Sequence, residues 1–437
     1  MKIQSIKLQG KRSFSCFLVL ALIITTCLSA SAVYSSAVAS DTGYYINTPG
    51  DLWDGESSDT DFAGSGTQAD PYQITTAAEL YGFVRTYCGE TAEDKRHEDN
   101  LYAVLKSDIY LNDVRESDWA TNSPNEWYSI NIWTRGGEGM GFRGHFDGNG
   151  HTVYGLYFAP DKYDDAGNSG IKAVSGLMPL ASGSAVISNV NVRYSAVKAF
   201  GGACQVGSIV GFVQKDHGGD ASHVTVEKCV ADQTVDFSGL TNAHAGGIVG
   251  CVGERSHLTV RYCGSSVKFS FPINEMQPAG KGGGIVGNSD WGAESIRITN
   301  SYSVSSFISG TPSAEFGADI SDGTLYSAYS GWEIWGNVNL TFVQSASMIG
   351  KQAKESMPNL GWDIWETNFR GYPIIKGSTS SNGDANCDGI VDTLDLVRVK
   401  KYAAGILTKI CLAADLNGDL NINAEDCSLL RKNLLEQ

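Results

Sequence analysis

GGIVGC, residues 246–251, is one of four related stretches: SGLMPL starts at Ser175, GSIVGF at Gly207 and GGIVGN at Gly283. Their apolar third residues, Leu177, Ile209, Ile248 and Ile285, stand 32, 39 and 37 residues apart. A second segment follows each: AVISNVNV (185–192), HVTVEKCV (223–230), HLTVRYCG (257–264) and SIRITNSY (295–302). These alternate apolar and polar residues, the period of a strand with one buried face. Strands this short cannot each bury a core alone, but stacked at a regular period they form the coils of a β-solenoid. Cys229 and Cys263 occupy equivalent places on adjacent coils. They would stack about one strand spacing, 4.8 Å, apart, as a disulfide or as an inward ladder of thiols.

Composition agrees with a β-rich chain full of tight turns. Gly supplies 51 of 437 residues and Pro 10, and only 18% are charged. A hydrophobic share of 42% argues against overall disorder. With 48 acids against 32 bases the net charge is −16, which excludes bulk neutralisation of nucleic-acid phosphates. Lys2, Lys7, Lys11 and Arg12 precede the apolar run CFLVLALIITTCLSA (16–30) and the small-x-small site Ala30-Ser31-Ala32. That order reads as a secretory signal peptide over residues 1–32. No other stretch reaches the roughly 18 apolar residues of a membrane span, so a secreted chain without one is expected. Eight cysteines remain after residue 40, with no spacing that suggests zinc.

Working outward, QITTAAELYGFVRTY (73–87) reads as a helix able to cover the open end of the solenoid. NLYAVLKSDIYL (100–111) and FRGHFDGNGHTVYGLYF (142–158) precede the repeats, and SMIGKQAKESMPNLGWDIWETNFRGYPIIKG (347–377) follows them. In this order the segments resemble the GLUG-repeat proteins, over about residues 70–377. The resemblance implies a right-handed parallel β-helix whose first coils, N-terminal cap and closing segment are those stretches. The expected domain spans 41–376, and GSTSSNG (377–383) reads as a Gly/Ser linker.

Beyond the linker, residues 384–395 place Asp384, Asn386, Asp388, Asp392 and Asp395 at positions 1, 3, 5, 9 and 12 of a loop with Gly389 at position 6. Ile390, at position 7, would contribute its backbone carbonyl. Hard oxygens around a glycine turn are the pattern of a Ca²⁺ loop. Thirty-one residues later Asp415, Asn417, Asp419, Asn423 and Asp426 repeat it, with Asn421 at position 7 and Leu420 in place of the glycine. If the same turn needs φ > 0 there, Leu420 is strained and the second site binds more weakly. Helix-like runs, LVRVKKYAAG (396–405) and CSLLRKNLL (427–435), follow the two loops. Residues 384–437 resemble a type I dockerin, a duplicated loop-plus-helix module. The resemblance implies two Ca²⁺ sites and a cohesin partner on a scaffoldin or cell-surface protein, within a cellulosome-like polysaccharide-degrading complex. It implies cohesin contacts at Thr393-Leu394 and Ala424-Glu425 and at the basic pairs Lys400-Lys401 and Arg431-Lys432. The two loop pairs differ chemically, so one docking orientation is expected to be preferred.

For the solenoid two functions stay open: a non-catalytic module that binds polysaccharide or a surface, or a carbohydrate-active enzyme, lyase or glycoside hydrolase. Catalysis would need carboxylates gathered on one face. Asp147, in FDGNG, reads as a turn residue; Asp161, Asp164 and Asp165 read as a solvated loop; Asp290-Trp291 and Arg297 have no evident partner. The histidines are scattered, and no nucleophile or phosphate motif occurs. The non-catalytic reading is favoured. Trp119, Trp127 and Trp133, and then Trp332, Trp335, Trp362 and Trp365, form two groups that would either stack on sugars or pack the solenoid ends.

Overall fold

The computed structural model describes residues 52–88, 100–114, 120, 122–130, 141–159, 171–198, 203–216, 219–236, 242–270, 280–289, 293–309, 316–317, 324–327, 334–335, 339–343, 348, 352–367, 373–378, 383–386, 390–408, 410–417 and 421–436. The expected signal peptide, Asp161, Asp164, Asp165, Asp290, Trp291, Asp388, Asp419 and Leu420 lie outside them.

The repeats stack as a parallel β-solenoid. One coil runs through strands Ala203–Gly207, Val210–Val213, Ser222–Glu227 and Val230–Asp236. The next runs through Asn242–Gly246, Val249–Val252, Ser256–Arg261 and Gly264–Ser270, directly alongside. Pairing is in register: Val210 faces Val249, Val226 faces Val260, and Val230 faces Gly264. Four sheets result, of seven, ten, five and four strands. Parallel pairing dominates because every coil turns the same way; Ser129–Ile130, at the edge of the five-stranded sheet, pairs antiparallel. The aligned residues Leu177, Ile209, Ile248 and Ile285 are completely buried and form one rung of the core.

Two kinds of corner close each coil, and only one depends on glycine. At the GGIVG corner the glycines make room for backbone. A Cβ on Gly207, Gly246 or Gly283 would lie 2.1, 1.8 or 1.7 Å from the carbonyl oxygen of Val210, Val249 or Val286. At the opposite corner one residue per coil turns the chain in the left-handed region. It is Asn189, Lys228, Tyr262 and Asn300, with φ of +52°, +54°, +54° and +50°. Asparagine tolerates that region; lysine and tyrosine are held there by the ladders on either side.

Cys229 and Cys263 are buried free thiols, stacked inward beside each other. Burial and the neighbouring Cys263 push the Cys229 thiol well above its ordinary pKa. Cys88, Cys204, Cys251 and Cys427 are also free, whereas Cys411 is in a disulfide. Thiol counting in denaturant without reductant should therefore return at least these six, and in the native chain a thiol-specific reagent should be slow with the five that are buried. A count below six would contradict the ladder.

Helix Ala77–Cys88 covers the N-terminal end of the solenoid. Glu79 Oε2 accepts from the Thr76 N–H (2.9 Å), and Thr76 Oγ1 accepts from the Glu79 N–H (3.2 Å), a capping box. Leu80, Phe83 and Val84 are completely buried, with Phe83 against Phe142 and Phe146. The described part of the segment after the repeats packs along a flank of the solenoid. Trp365, Met357 and Leu360 form a small core with Val230 and Tyr302. The Tyr302 hydroxyl donates to Pro373 O (2.7 Å), and Asn300 Nδ2 donates to Asn359 O (2.9 Å).

Candidate functional site

The C-terminal module consists of two loops and two helices, Thr393–Ala403 and Ala424–Glu436. Each loop is organised by the carboxylate at its twelfth position. Asp395 accepts from the N–H groups of Ala385 (2.8 Å), Asn386 (3.2 Å) and Asp392 (2.8 Å). Asp426 accepts from those of Leu416 (2.8 Å), Asn417 (3.4 Å) and Asn423 (2.8 Å). The correspondence is residue for residue. Sequence reading gave these aspartates one role, metal ligation; the fold gives them a second, tying each loop's first turn to its helix.

Position 9 also has a second role. Asp392 Oδ1 accepts from the Leu394 N–H (2.6 Å) and Asn423 Oδ1 from the Glu425 N–H (2.7 Å), so both residues cap their helices. An Asp or Asn three residues before an acid at a helix start was the available signal. The first helix ends as its sequence suggests, with Gly405 at φ +69° and the Ile406 N–H reaching back to Lys401 O (2.8 Å).

Asp384, Asp395, Asp415 and Asp426 are each at most 1% exposed. Buried carboxylates in pairs are costly unless a cation joins them. Burial and, against the loop's hydrogen bonds, the nearby Asp384 charge push Asp395 up to about 6. This donor set, all oxygen and gathered by pre-ordered loops, fits a hard divalent cation. Asn386, Ile390, Asp392, Asn417, Asn421 and Asn423 border the same two loops. Asn421 O accepts from Asn423 Nδ2 (2.8 Å).

A pH dependence follows. The raised Asp395 value means that the cation-free fold holds this group's contribution to stability below its unfolded value near 4, and loses it as pH rises through about 6. Ca²⁺ requires the ionised carboxylate, so its affinity should fall as pH is lowered through about 6. Calorimetric titration with Ca²⁺ at pH 5 and pH 7.5 checks this; equal affinities would contradict it.

Of the residues anticipated at a cohesin interface, Thr393, Leu394, Lys400, Ala424, Glu425, Arg431 and Lys432 are exposed and Lys401 is half-buried. The large apolar side chains exposed among the described residues, Ile390, Leu394, Val397, Ile406 and Leu435, all belong to this module. The module also packs on the solenoid: Leu412 is buried with Tyr110, Val114 and Tyr154, and the Tyr194 hydroxyl donates to Asp415 Oδ2 (3.5 Å).

On the solenoid, Asp147 is the one acid singled out from sequence that lies among the described residues, and it serves structure, as do Asp232 and Glu227. Asp147 accepts from the Asn149 N–H (2.8 Å) and from Asn189 Nδ2 (2.9 Å), closing its own turn. Asp232 pairs with Arg193 (2.5 Å), and Glu227 with Arg261. Among the described residues no group of three or more His, Cys, Asp or Glu is placed to hold a metal ion. His223 and His257 stack in parallel on adjacent strands with centroids 4.4 Å apart. Arg297 is exposed on its strand. Trp127 and Trp365 are buried in packing, and Trp362 donates to Met357 O (2.8 Å); Trp119, Trp133 and Trp332 lie outside the described residues.

Residues 382–435 match the family described as the Dockerin type I domain. That segment is a type I dockerin; domains of this family are calcium-binding, and the family implies a cohesin partner. Over 407 residues the chain is 25% identical to Halomucin of Haloquadratum walsbyi, covering 84% of this chain and 4% of that protein. The chain thus spans a small fraction of the curated relative it matches. A crystal structure of a "putative immunoglobulin A1 protease" from Bacteroides ovatus aligns with a TM-score of 0.39 and 16% identity, over 72% of this chain and 94% of that one. Among the described residues no helix is long and apolar enough to cross a membrane.

Proposed function

We propose that this chain is a secreted component of a polysaccharide-degrading complex, held to a cohesin by its dockerin, and that its solenoid binds polysaccharide. The observation that carries the docking half is the pair of matched carboxylate centres, Asp384 with Asp395 and Asp415 with Asp426, in a module that also exposes large apolar side chains. Two Ca²⁺ ions, one per loop, organise that surface. The binding half is supported by a solenoid whose acids are engaged in turns and ion pairs. The alternative, a lyase or glycoside hydrolase, would show itself as unsaturated or reducing products from plant polymers.

Binding of the whole chain to immobilised cohesins, with and without chelator, tests the docking half. Capture that survives chelation would remove the calcium reading. The two faces are chemically unequal, since Thr393-Leu394 opens one helix and Ala424-Glu425 the other. Exchanging the two pairs should therefore change cohesin affinity by roughly tenfold or more, a loss on the scale of one interface side chain. An unchanged affinity would mean that the halves are interchangeable.

A further inference from the structure

The segment between the two acidic loops is seated on the solenoid. Leu412, 3% exposed, clusters with Tyr110, Val114 and Tyr154, whereas the dockerin's own core is built on Val399, Ile410, Leu416 and Leu430. Tyr110 and Tyr154 pair in register on adjacent coils, and their rings stack 5.0 Å apart at 7°. Tyr194, one coil further on, continues the stack at 6.4 Å and 21°. The Tyr110 hydroxyl lies 4.0 Å from Cys411 Sγ, and the Tyr194 hydroxyl donates to Asp415 Oδ2 (3.5 Å). Three tyrosines of the solenoid thus line up beneath residues 411–415.

Tyr194 is the informative residue. Its φ is +53°, a left-handed conformation that a bulky side chain rarely adopts. It lies in strand Asn191–Lys198 where the register shifts between Val192 and Ser195. Asp232 on the next coil holds that irregularity in place. Its carboxylate accepts from Arg193 Nε (2.5 Å) and from the Tyr194 N–H, and its carbonyl accepts from Ser195 Oγ (2.6 Å). The Arg193 guanidinium lies 5.3 Å from the centre of the Tyr194 ring. Strand irregularities of this kind re-aim a side chain, and a strained residue persists only where its surroundings over-determine it. Here the re-aimed side chain is the one that reaches the dockerin.

Its target, Asp415, is completely buried and stands at the first ligand position of the second loop. An aspartate that ligates a hard cation can give one oxygen to the ion and the other to a hydrogen-bond donor, and such donors help to set metal affinity. The second loop is also the one that carries Leu420 where the first has Gly389, so it gains more from outside support. We propose that the second calcium site extends beyond the dockerin: Tyr194 of the solenoid is a positioning residue that orients Asp415 for the ion, from 221 positions away in the chain. The tyrosine seat under Leu412 keeps the two in reach. By linkage, the ion in the second loop and the seat on the solenoid strengthen each other. This inference rests on the reading of both loops as Ca²⁺ sites.

Calorimetric titration of the full chain with Ca²⁺ tests it. The parent should bind two ions. Tyr194→Phe keeps the ring and its stack and removes only the hydroxyl. It should weaken one site about fivefold, short of the roughly 10–100-fold typical of such partners because the bond is long, and leave the other site and the melting temperature unchanged. Asp388→Asn, in the first loop, should weaken the other site. Leu412→Ala, which opens the seat from the dockerin side, should weaken the same site as Tyr194→Phe. If Tyr194→Phe binds both ions like the parent, weakens both alike, or weakens the site that Asp388→Asn also weakens, the assignment of Tyr194 falls and the calcium reading stands. If the parent binds no Ca²⁺, the calcium reading itself falls. Should Tyr194→Phe melt below the parent, Leu412→Ala decides by the same criteria.

Discussion

Replacing Asp395 and Asp426 together by Ala is expected to abolish cohesin capture while leaving the solenoid folded. Each aspartate accepts three backbone N–H groups and stands at the last ligand position of its loop. Removing it strands those donors at about 1–3 kcal/mol for each buried group. It also takes the twelfth-position carboxylate from the oxygen set that a cation would join, and with it the folding free energy that metal binding supplies. The whole stability of a folded domain is of order 5–15 kcal/mol, so a small module loses its fold. Helical ellipticity should fall, and cohesin affinity should drop by at least about a thousandfold, equivalent to roughly 4 kcal/mol. Chelation of the parent chain should reproduce both effects, because in such modules metal binding is part of folding. A double variant that still captures cohesin at parental affinity would refute this account of the loops.

Gly283→Ala is expected to cost the solenoid more than any surface change of the same size. The added methyl would sit 1.7 Å from Val286 O, in a corner where the backbone of Gly287 is also close. Neither neighbour is a flexible side chain, so strands must separate. Overpacking of a core usually costs about 1–3 kcal/mol, and a backbone clash this close should reach or exceed the upper figure. Gly246→Ala, with its methyl 1.8 Å from Val249 O, should behave alike. The contrast is Lys228→Gly at the left-handed corner. There roughly 1 kcal/mol of relieved strain is offset by 0.5–1 kcal/mol of added chain entropy, and stability should hardly move. Denaturant midpoints read from strand ellipticity distinguish the two corners. Equal, small shifts at both would mean that the GGIVG glycines are not required by close approach.

The two corners also show how far the sequence could be read. The alternation around Val226, Val260 and Ile298 and the period of Leu177, Ile209, Ile248 and Ile285 carry the solenoid, because apolar rungs must coincide for the coils to share a core. The glycines were legible as turns, but their reason was not. A positive φ is a local property that sequence can suggest; a carbonyl less than 2 Å from an absent Cβ exists only once coils have stacked. The left-handed positions fell on Lys228 and Tyr262, residues with no such preference, so nothing local announced them. The tryptophans were ambiguous for the same reason: Trp365 could stack on a sugar or on Tyr302, and only packing chose Tyr302.

By itself the sequence determined the features that depend on spacing along the chain: the repeat, the acidic balance, and two twelve-residue oxygen loops each followed by a helix. Ligand spacing within a loop is a local matter, set by one turn of backbone. The tertiary structure decided what depends on residues far apart meeting. It laid the last segment along the solenoid flank, seated Leu412 of the dockerin against Tyr110 and Tyr154, and brought Asn191 and Lys228 of two coils together with Lys376 and Ser378 in one cavity. Those contacts join positions up to three hundred residues apart. Sequence carries no direct signal for such pairs, because burial and hydrogen bonding at each end are satisfied only by the other.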